Sequence, residues 1–211
     1  MLRAALFDLD GVVLDTESQY TGFWERQGLL YYPDIKNFAQ RIKGMTLTQI
    51  FDQFFASDVQ AQKQITDALN AFEAEMSYHY IAGFEQFVSD LSKLNVRTAV
   101  VTSSNLHKMK KVYSAQPGLK NYFDAILTSE DFKYSKPNPD CYLEAARRFN
   151  LRPDECIGFE DSINGLRALQ AARMFTIGLA TTNPREIVAK YANLVIDDYT
   201  NISASQVVNL V

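Results

Sequence analysis

The spacing of hydrophobic positions divides the chain into three stretches. Residues 5–13, with the sequence ALFDLDGVV, form an apolar run interrupted by two acids two positions apart and a glycine, a pattern typical of a buried parallel strand that delivers both acids to one edge of a sheet. Hydrophobic residues then recur at helical spacing as far as Gly83. From Gly83 onward, helical stripes alternate with short strand-like runs.

This order of elements predicts the fold class. Alternating strands and helices indicate an α/β fold, with a doubly wound parallel (Rossmann-like) sheet and right-handed crossovers. The helical stretch interrupts that alternation after the first strand, so we predict an inserted all-helical unit over residues 15–82 and an α/β core made of residues 1–14 and 83–211. The later strands are expected at residues 98–101, 125–127, 156–159, 175–179 and 194–196.

Composition narrows the range of partners. The chain has 211 residues, of which 47% are hydrophobic and 22% charged, which is ordinary for a globular protein with a sizeable core. Its net charge of −4 gives no reason to expect nucleic acid as a partner. Lysines cluster at Lys108, Lys110 and Lys111, where we predict a solvated helix face.

The cysteines and the lengths of the apolar runs bear on cellular location. Cys141 and Cys156 have no metal-ligand spacing and are predicted to be buried thiols, which suits a reducing compartment. The sequence contains no signal-like segment and no apolar run of membrane-spanning length. We therefore expect a cytoplasmic monomer that acts without a membrane partner.

Polar residues follow the predicted strands where a ligand of an open α/β sheet would bind. They are Asp8, Asp10, Thr102, Ser103, Ser104, Lys136, Glu160 and Asp161. Each alone has an ordinary explanation: a surface turn for the Asp-Gly pair, helix caps for the hydroxyls and for Asp161, and a solvated loop for the lysine. Their joint occurrence at successive strand ends predicts a single site.

Paired acids constrain what that site can bind. In an extended backbone Asp8 and Asp10 share a face, and two close carboxylates repel each other unless a cation compensates. Hard oxygen ligands of this kind suit Mg²⁺. Gly11 would release the chain into an unusual turn directly after the acids.

Four ordered motifs carry a family resemblance. They are DLDGV at residues 8–12, VVTSS at 100–104, SKPNPD at 135–140 and GFEDSING at 158–165. The chain resembles the haloacid dehalogenase-like hydrolases, and within them the group related to β-phosphoglucomutase that carries a helical cap. The resemblance implies an enzyme that transfers phosphate, with Asp8 as nucleophile, Asp10 as acid and base, and Thr102 and Lys136 on the phosphate oxygens. Metal ligands would be Asp8, the backbone carbonyl of Asp10, Asp161 and, directly or through water, Glu160.

The resemblance also places substrate contacts in the cap. The corresponding residues are Tyr20, Trp24, Lys43 and Gly44, together with Ser103 of the core; for Trp24, packing in a helical core is an equal alternative. Tyr20 and Leu47 stand where the mutase pattern has a histidine and an arginine, and Asn105 replaces a lysine.

These departures favour a phosphatase over β-phosphoglucomutase, with a sugar or sugar-alcohol monophosphate as the expected substrate. The acid at Asp10 argues against dehalogenation. A phospho-accepting receiver module is a remote alternative. Its paired acids end the first strand, its phosphorylated acid ends a later strand, and it needs no inserted cap. Here the candidate nucleophile Asp8 follows the first strand, and a large insert comes after it.

Overall fold

A computed structural model describes residues 2–210 and contains one sheet of six parallel strands. The strands are β1 (Ala4–Phe7), β2 (Arg97–Val101), β3 (Ala125–Leu127), β4 (Cys156–Glu160), β5 (Phe175–Leu179) and β6 (Leu194–Ile196). Their order across the sheet is β3-β2-β1-β4-β5-β6, so β1 lies between β2 and β4. The predicted doubly wound parallel α/β fold is confirmed.

Helices connect the strands. They are α1 (Glu17–Tyr31), α2 (Phe38–Ile42), α3 (Leu47–Phe54), α4 (Val59–Glu75), α5 (Phe84–Lys93), α6 (Leu106–Ala115), α7 (Asp140–Arg148), α8 (Ile163–Ala171), α9 (Arg185–Val188) and α10 (Ala204–Val208). Short 3₁₀ turns occur at Leu119–Tyr122 and Pro153–Glu155. Within residues 2–210, no helix is both long and apolar enough to cross a membrane.

The sheet is buried on both faces because successive residues of β1 enter different cores. Ala5 and Phe7 belong to the cluster on one face, where the ring of Phe7 stacks on Phe159 with centroids 4.4 Å apart. Ala4 and Leu6 belong to the cluster on the other face. Cys141 in α7 and Cys156 in β4 are buried free thiols, as predicted.

The first strand is shorter than its apolar run. It ends at Phe7, and residues 9–14 form a compact turn although Val12 and Val13 are fully buried. Hydrogen bonds from Gly11 N–H to Leu14 C=O and from Val13 N–H to Leu9 C=O close that turn at 2.7 and 2.9 Å. Gly11 has a φ of +75°, the left-handed conformation that favours glycine. The apolar run is therefore longer than the strand, because the turn that follows β1 also buries apolar side chains.

The helices α1 to α4 form a unit with its own apolar cluster. The cluster contains Phe23, Phe38 and Ile65, which are at most 3% exposed. Thr46 caps α3 and Asp58 caps α4 through side-chain oxygens that accept backbone N–H groups. We call residues 15–82 the helical insert, and its division from the core stays a prediction.

Candidate active site

Parallel pairing brings the predicted site residues to one edge of the sheet. Phe7 is in register with Val100 on β2 and with Phe159 on β4. The chain therefore emerges from all three strands at the same level, and the residues that follow face one cavity of about 1080 Å³. Its core lining includes Asp8, Asp10, Thr102, Ser103 and Asp161.

Lys136 lies beneath this cavity and is 1% exposed. Its ammonium contacts Asp8 Oδ1 at 2.5 Å and Glu160 Oε1 at 2.6 Å, and it donates to the carbonyl of Val101 at 3.0 Å. Burial opposes the charge, yet the two carboxylates raise the pKa of Lys136 above its ordinary value. The lysine is therefore a buried counter-charge and not a solvated loop residue.

Asp8 is the carboxylate most affected by its surroundings. Burial raises its pKa from 3.8 to about 7; Lys136 opposes the rise, and the charges of Glu160 and Asp10 add to it. The Asp8 carboxylate also lines the cavity and is therefore open to a ligand from that side. Asp8 can therefore contact a ligand, and a further cation bound beside it would favour its ionised form.

Asp10 is held by donors from three parts of the chain. Oδ1 accepts a hydrogen bond from the Thr16 hydroxyl at 2.5 Å, and Oδ2 accepts from the Ser104 hydroxyl at 3.2 Å and from the Lys108 ammonium at 2.5 Å. Its carboxylate also lines the cavity. Asp8 and Asp10 therefore face one space with different partners, which suits different chemical tasks.

The prediction of a solvated lysine cluster is wrong for two of its three members. Lys108 is 6% exposed and bonded to Asp10, and Lys111 donates to Glu73 at 3.2 Å. Lys110 alone is exposed. The reason is the direction of α6: its first turn starts at the sheet edge, so Lys108 points into the site. Lys111 lies three residues further along the same helix face and meets Glu73 of α4.

Glu160 has both oxygens engaged. Oε1 accepts from the Tyr142 hydroxyl at 2.9 Å as well as contacting Lys136, and Oε2 accepts from Asp161 N–H, Ser162 N–H and the Ser162 hydroxyl at 3.0 to 3.1 Å. The residue is completely buried. Glu160 thus links Lys136 to the N-terminus of α8, where Ser162 is the N-cap.

Gly165 leaves room for that carboxylate. A Cβ at this position would lie 1.8 Å from Glu160 Oε1. Gly165→Ala should therefore lower the free energy of unfolding by at least about 1–3 kcal/mol, the usual range for overpacking. Chemical denaturation measures it. Gly118→Ala is the matched control, because a Cβ there meets nothing within 4 Å; equal stability of the two variants would contradict the close approach.

Asp161 is the site's unpaired acid. Within residues 2–210 its buried Oδ2 has no hydrogen-bond partner. Burial, then the charges of Glu17, Glu160 and Asp8, raises the pKa of Asp161 well above its ordinary value. Carboxylate oxygens of Asp8, Glu160 and Asp161 lie within 4.8 Å of one another. An orphaned carboxylate oxygen beside two more acids fits a hard divalent cation.

The helical insert closes the other side of the cavity. Tyr20, Trp24, Lys43 and Gly44 all line it, as does Leu47. Trp24 is 8% exposed and packs edge-on against Phe23, so the packing alternative and the cavity position both hold for this residue. Tyr20 donates its hydroxyl to Glu73 at 3.0 Å.

Two backbone carbonyls join the insert to the core. Asn164 donates its amide to the carbonyl of Lys43 at 2.8 Å, and Ser103 donates its hydroxyl to the carbonyl of Gly44 at 3.2 Å. The ammonium of Lys43 lies 3.3 Å from Glu17. Lys43 is therefore paired within the insert, and Ser103 contacts the insert as well as the cavity.

Sequence reasoning missed several side chains that shape the site. Thr16, Glu17, Lys108 and Tyr142 all contact a predicted site residue or its partner. Ser104 is in the predicted strand-end set beside Thr102 and Ser103, although no separate role is predicted for it; its hydroxyl donates to Asp10. Tyr142 gives no such signal, because it reads as one apolar position of α7.

Comparison with known proteins establishes the class. A family model described as haloacid dehalogenase-like hydrolase matches residues 2–173. The chain belongs to this family, as its four motifs predict, and it is an enzyme. Hexitol phosphatase B of Escherichia coli O157:H7 is 26% identical over 219 residues, covering 96% of this chain and 95% of that protein. The family match favours an enzyme over the receiver-like signalling alternative.

Solved structures agree on the fold. A family IA, variant 3 hydrolase of this class from Entamoeba histolytica has a TM-score of 0.84 and 24% identity, with 99% of each chain covered. β-Phosphoglucomutase from Clostridium difficile has a TM-score of 0.81 and 24% identity, covering 99% of this chain and 96% of that one. At this identity both likenesses concern the fold alone.

Proposed function

We propose that this enzyme is a Mg²⁺-dependent phosphatase that hydrolyses a sugar or sugar-alcohol monophosphate through an aspartyl-phosphate on Asp8. The observation that supports it most is the pair Asp8 and Asp10 facing one cavity, the first beside a buried ammonium and the second among hydrogen-bond donors. The phosphatase name of the hexitol phosphatase B relative supports the same reaction class.

The two acids divide the reaction into two steps. In the first, a carboxylate oxygen of Asp8 forms a bond to phosphorus, the bond from phosphorus to the ester oxygen breaks, and Asp10 gives that oxygen a proton. In the second, Asp10 takes a proton from water as the water oxygen bonds to phosphorus and releases Asp8. Free phosphate and an alcohol are the products.

Charge neutralisation falls to the groups around the phosphate. Thr102 is 1% exposed and its hydroxyl oxygen accepts from Ser104 N–H at 3.0 Å, which leaves the hydroxyl proton available to a ligand. Lys136 supplies a fixed positive charge next to Asp8. Such fixed donors and charges carry much of the catalysis in phosphoryl transfer.

Mg²⁺ would be held by Asp8, the backbone carbonyl of Asp10 and Asp161, with Glu160 supporting them from behind. Bound there, the ion would supply positive charge to the phosphate oxygens. The unpartnered Oδ2 of Asp161 supports this assignment. The Asp10 carboxylate, engaged by Thr16, Ser104 and Lys108, stays free of the ion and can carry a proton.

The cavity favours hydrolysis over the mutase reaction. A sugar bisphosphate needs a cationic clamp for its second phosphate, and arginine is the residue best suited to it. Among the described residues no arginine lines the cavity, and Leu47 does line it. Lys43 and Lys108 are already paired with carboxylates, and the third lining lysine, Lys133, is exposed with its ammonium over the Tyr134 ring. A substrate with one phosphate and a neutral, hydroxyl-bearing remainder fits these surroundings.

We also propose that residues 15–82 act as a cap over the core of residues 1–14 and 83–211. Its separate apolar cluster supports this division. So do the hydrogen bonds that Lys43 and Gly44 accept from the core across the cavity. Closure of such a cap would exclude water and strengthen the electrostatic interactions inside.

The first experiment is Mg²⁺-dependent phosphate release from a panel of sugar phosphates, sugar-alcohol phosphates and nucleotides, with Asp8→Asn as the blank. Release that disappears in this variant would support the phosphatase and rank its substrates. β-Glucose 1-phosphate with a bisphosphate primer belongs in the same panel. Conversion to glucose 6-phosphate with little release would instead show a mutase.

Metal binding should depend on pH in a defined direction. Because the pKa of Asp8 is raised to about 7, the metal-free folded protein holds a proton that the unfolded chain has already lost above about pH 4. The stability that the Asp8 proton contributes to the metal-free protein is thus lost as the pH rises through about 7. Above that pH, Mg²⁺ no longer competes with a proton for the Asp8 carboxylate. We expect Mg²⁺ to raise the melting temperature more at about pH 8 than at about pH 6.

Thermal unfolding with and without MgCl₂ measures this difference, with NaCl of equal ionic strength as the control. An equal rise at both pH values would contradict the assignment of Asp8 as a ligand.

A further inference from the structure

Lys108 links the acid/base residue of the proposed reaction to the helical insert. Its ammonium lies 2.5 Å from Asp10 Oδ2 and 4.4 Å from the centroid of the Tyr20 ring. The lysine is on α6 of the core, whereas Tyr20 is on α1 of the insert. One side chain therefore touches both Asp10 and the insert.

A lysine in this position is costly without partners. It is 6% exposed, and burying an ammonium is unfavourable unless an opposite charge or an aromatic face compensates. Asp10 supplies the charge, and Tyr20 supplies the face. The site thus retains a buried cation whose ion pair is with the Asp10 side chain and not with Asp8.

The insert in turn holds Tyr20 in place. The Tyr20 hydroxyl donates to Glu73, which is 5% exposed, and Lys111 donates to the other oxygen of Glu73 at 3.2 Å. Lys108 and Lys111 are one turn apart on α6, so both lysines contact groups of the insert. Lys111, Glu73, Tyr20, Lys108 and Asp10 form a continuous chain of contacts.

The two oxygens of Asp10 have different surroundings. Oδ2 faces Lys108 and Ser104, which both donate. Among the described side chains, the Thr16 hydroxyl alone donates to Oδ1, and that hydroxyl is also 3.4 Å from the Leu14 carbonyl. Rotation of the hydroxyl toward Leu14 would leave Oδ1 able to bear a proton, whereas Oδ2 is kept as an acceptor.

We propose that Lys108 is a positioning residue that fixes Asp10 so that Oδ1 carries the transferred proton. The inference rests on the proposed phosphatase function. In the first step the proton leaves Oδ1 for the ester oxygen as the bond from phosphorus to that oxygen breaks, and the carboxylate left behind is paired with Lys108. In the second step the proton of the attacking water returns to Oδ1.

The test compares two esters of similar size that differ in their need for a proton. Benzyl phosphate releases a strongly basic alkoxide, and 4-nitrophenyl phosphate releases a stable phenolate. In Lys108→Met, kcat/KM for benzyl phosphate should fall by about 10²-fold, the lower end of the range for general acid catalysis. For 4-nitrophenyl phosphate it should fall by less than about 5-fold, because that leaving group requires little protonation.

Lys110→Met is the matched control, since Lys110 is exposed on the same helix. It should leave both values unchanged. Equal losses on both esters in Lys108→Met, or no loss, would overturn the proposal while the phosphatase activity of the unmodified enzyme stands. Absence of activity on every phosphate ester in the unmodified enzyme would overturn the proposed function itself.

A second variant and a second measurement distinguish the proposed role of Lys108 from a folding defect. Lys108→Gln is shorter and uncharged, and should show the same selective loss on benzyl phosphate. A crystal structure of that variant should show the Asp10 carboxylate displaced from Ser104. An unmoved carboxylate with unchanged ester preference would also overturn the proposal.

Discussion

Asp8→Asn should abolish turnover of every phosphate ester that the unmodified enzyme hydrolyses. An amide oxygen is a poor nucleophile, so the aspartyl-phosphate cannot form. We expect kcat to fall by at least about 10⁴-fold, in the range of losses caused by removing residues from the catalytic machinery of a protease. Phosphate release on the best substrate of the panel measures the loss, and acid-quenched samples analysed by mass spectrometry test for the phosphorylated residue.

The folded state should tolerate this change. Asparagine has nearly the shape of aspartate and removes one negative charge from a group that includes Glu160 and Asp161. Metal-free Asp8→Asn should therefore be at least as stable as the unmodified protein at about pH 8, where Asp8 is otherwise ionised. Asp34→Asn is an exposed control of the same type. Turnover retained in Asp8→Asn would rule out Asp8 as nucleophile.

Lys136→Met should reduce both activity and stability. The variant would leave the buried carboxylates of Asp8 and Glu160 without their shared cation, and removing one partner of a buried ion pair costs about 3–5 kcal/mol. Activity should fall by about 10²–10³-fold, since a fixed positive charge beside the phosphate is lost. Denaturant unfolding of the metal-free protein and kcat/KM on the best substrate measure the two effects.

A surface ion pair is the control for this variant. Lys63 pairs with Asp67 at 2.9 Å on α4, with side chains 79% and 65% exposed. Lys63→Met should cost less than about 1 kcal/mol and leave activity unchanged. If Lys136→Met unfolds like Lys63→Met, Lys136 does not compensate the buried carboxylates.

The sequence alone was sufficient for the sheet because the strands bury both faces. Such strands are short apolar runs with little polar interruption, and the predicted limits of β3, β5 and β6 are those observed. The same reasoning fails for residues 9–14. The apolar side chains of Leu9, Val12, Val13 and Leu14 are as buried as those of a strand, and the turn differs from a strand in its backbone hydrogen bonds and in the φ of Gly11.

Candidate site residues were predictable where they directly follow a strand. Asp8, Thr102 and Asp161 need only the parallel register to come together. Lys108 could not be found in that way, since its place depends on the direction of α6 and on partners from distant parts of the chain. A run of lysines on a helix is usually solvated, so composition pointed in the wrong direction.

The contacts of Lys43 and Gly44 with the core have a consequence for how new specificities arise. Both contacts use peptide carbonyls, which every amino acid carries. Gly44 itself is constrained, because a Cβ would lie 2.8 Å from Ser162 Oγ. Among the described residues, the side chains of the neighbouring lining residues Leu47 and Thr48 form no hydrogen bond with the core, whereas Gln49 accepts from Thr46 N–H and completes the cap of α3. For the proposed phosphatase, we therefore expect a library randomised at Leu47 and Thr48 to change the preferred substrate while the hydrogen bonds between the insert and the core are retained.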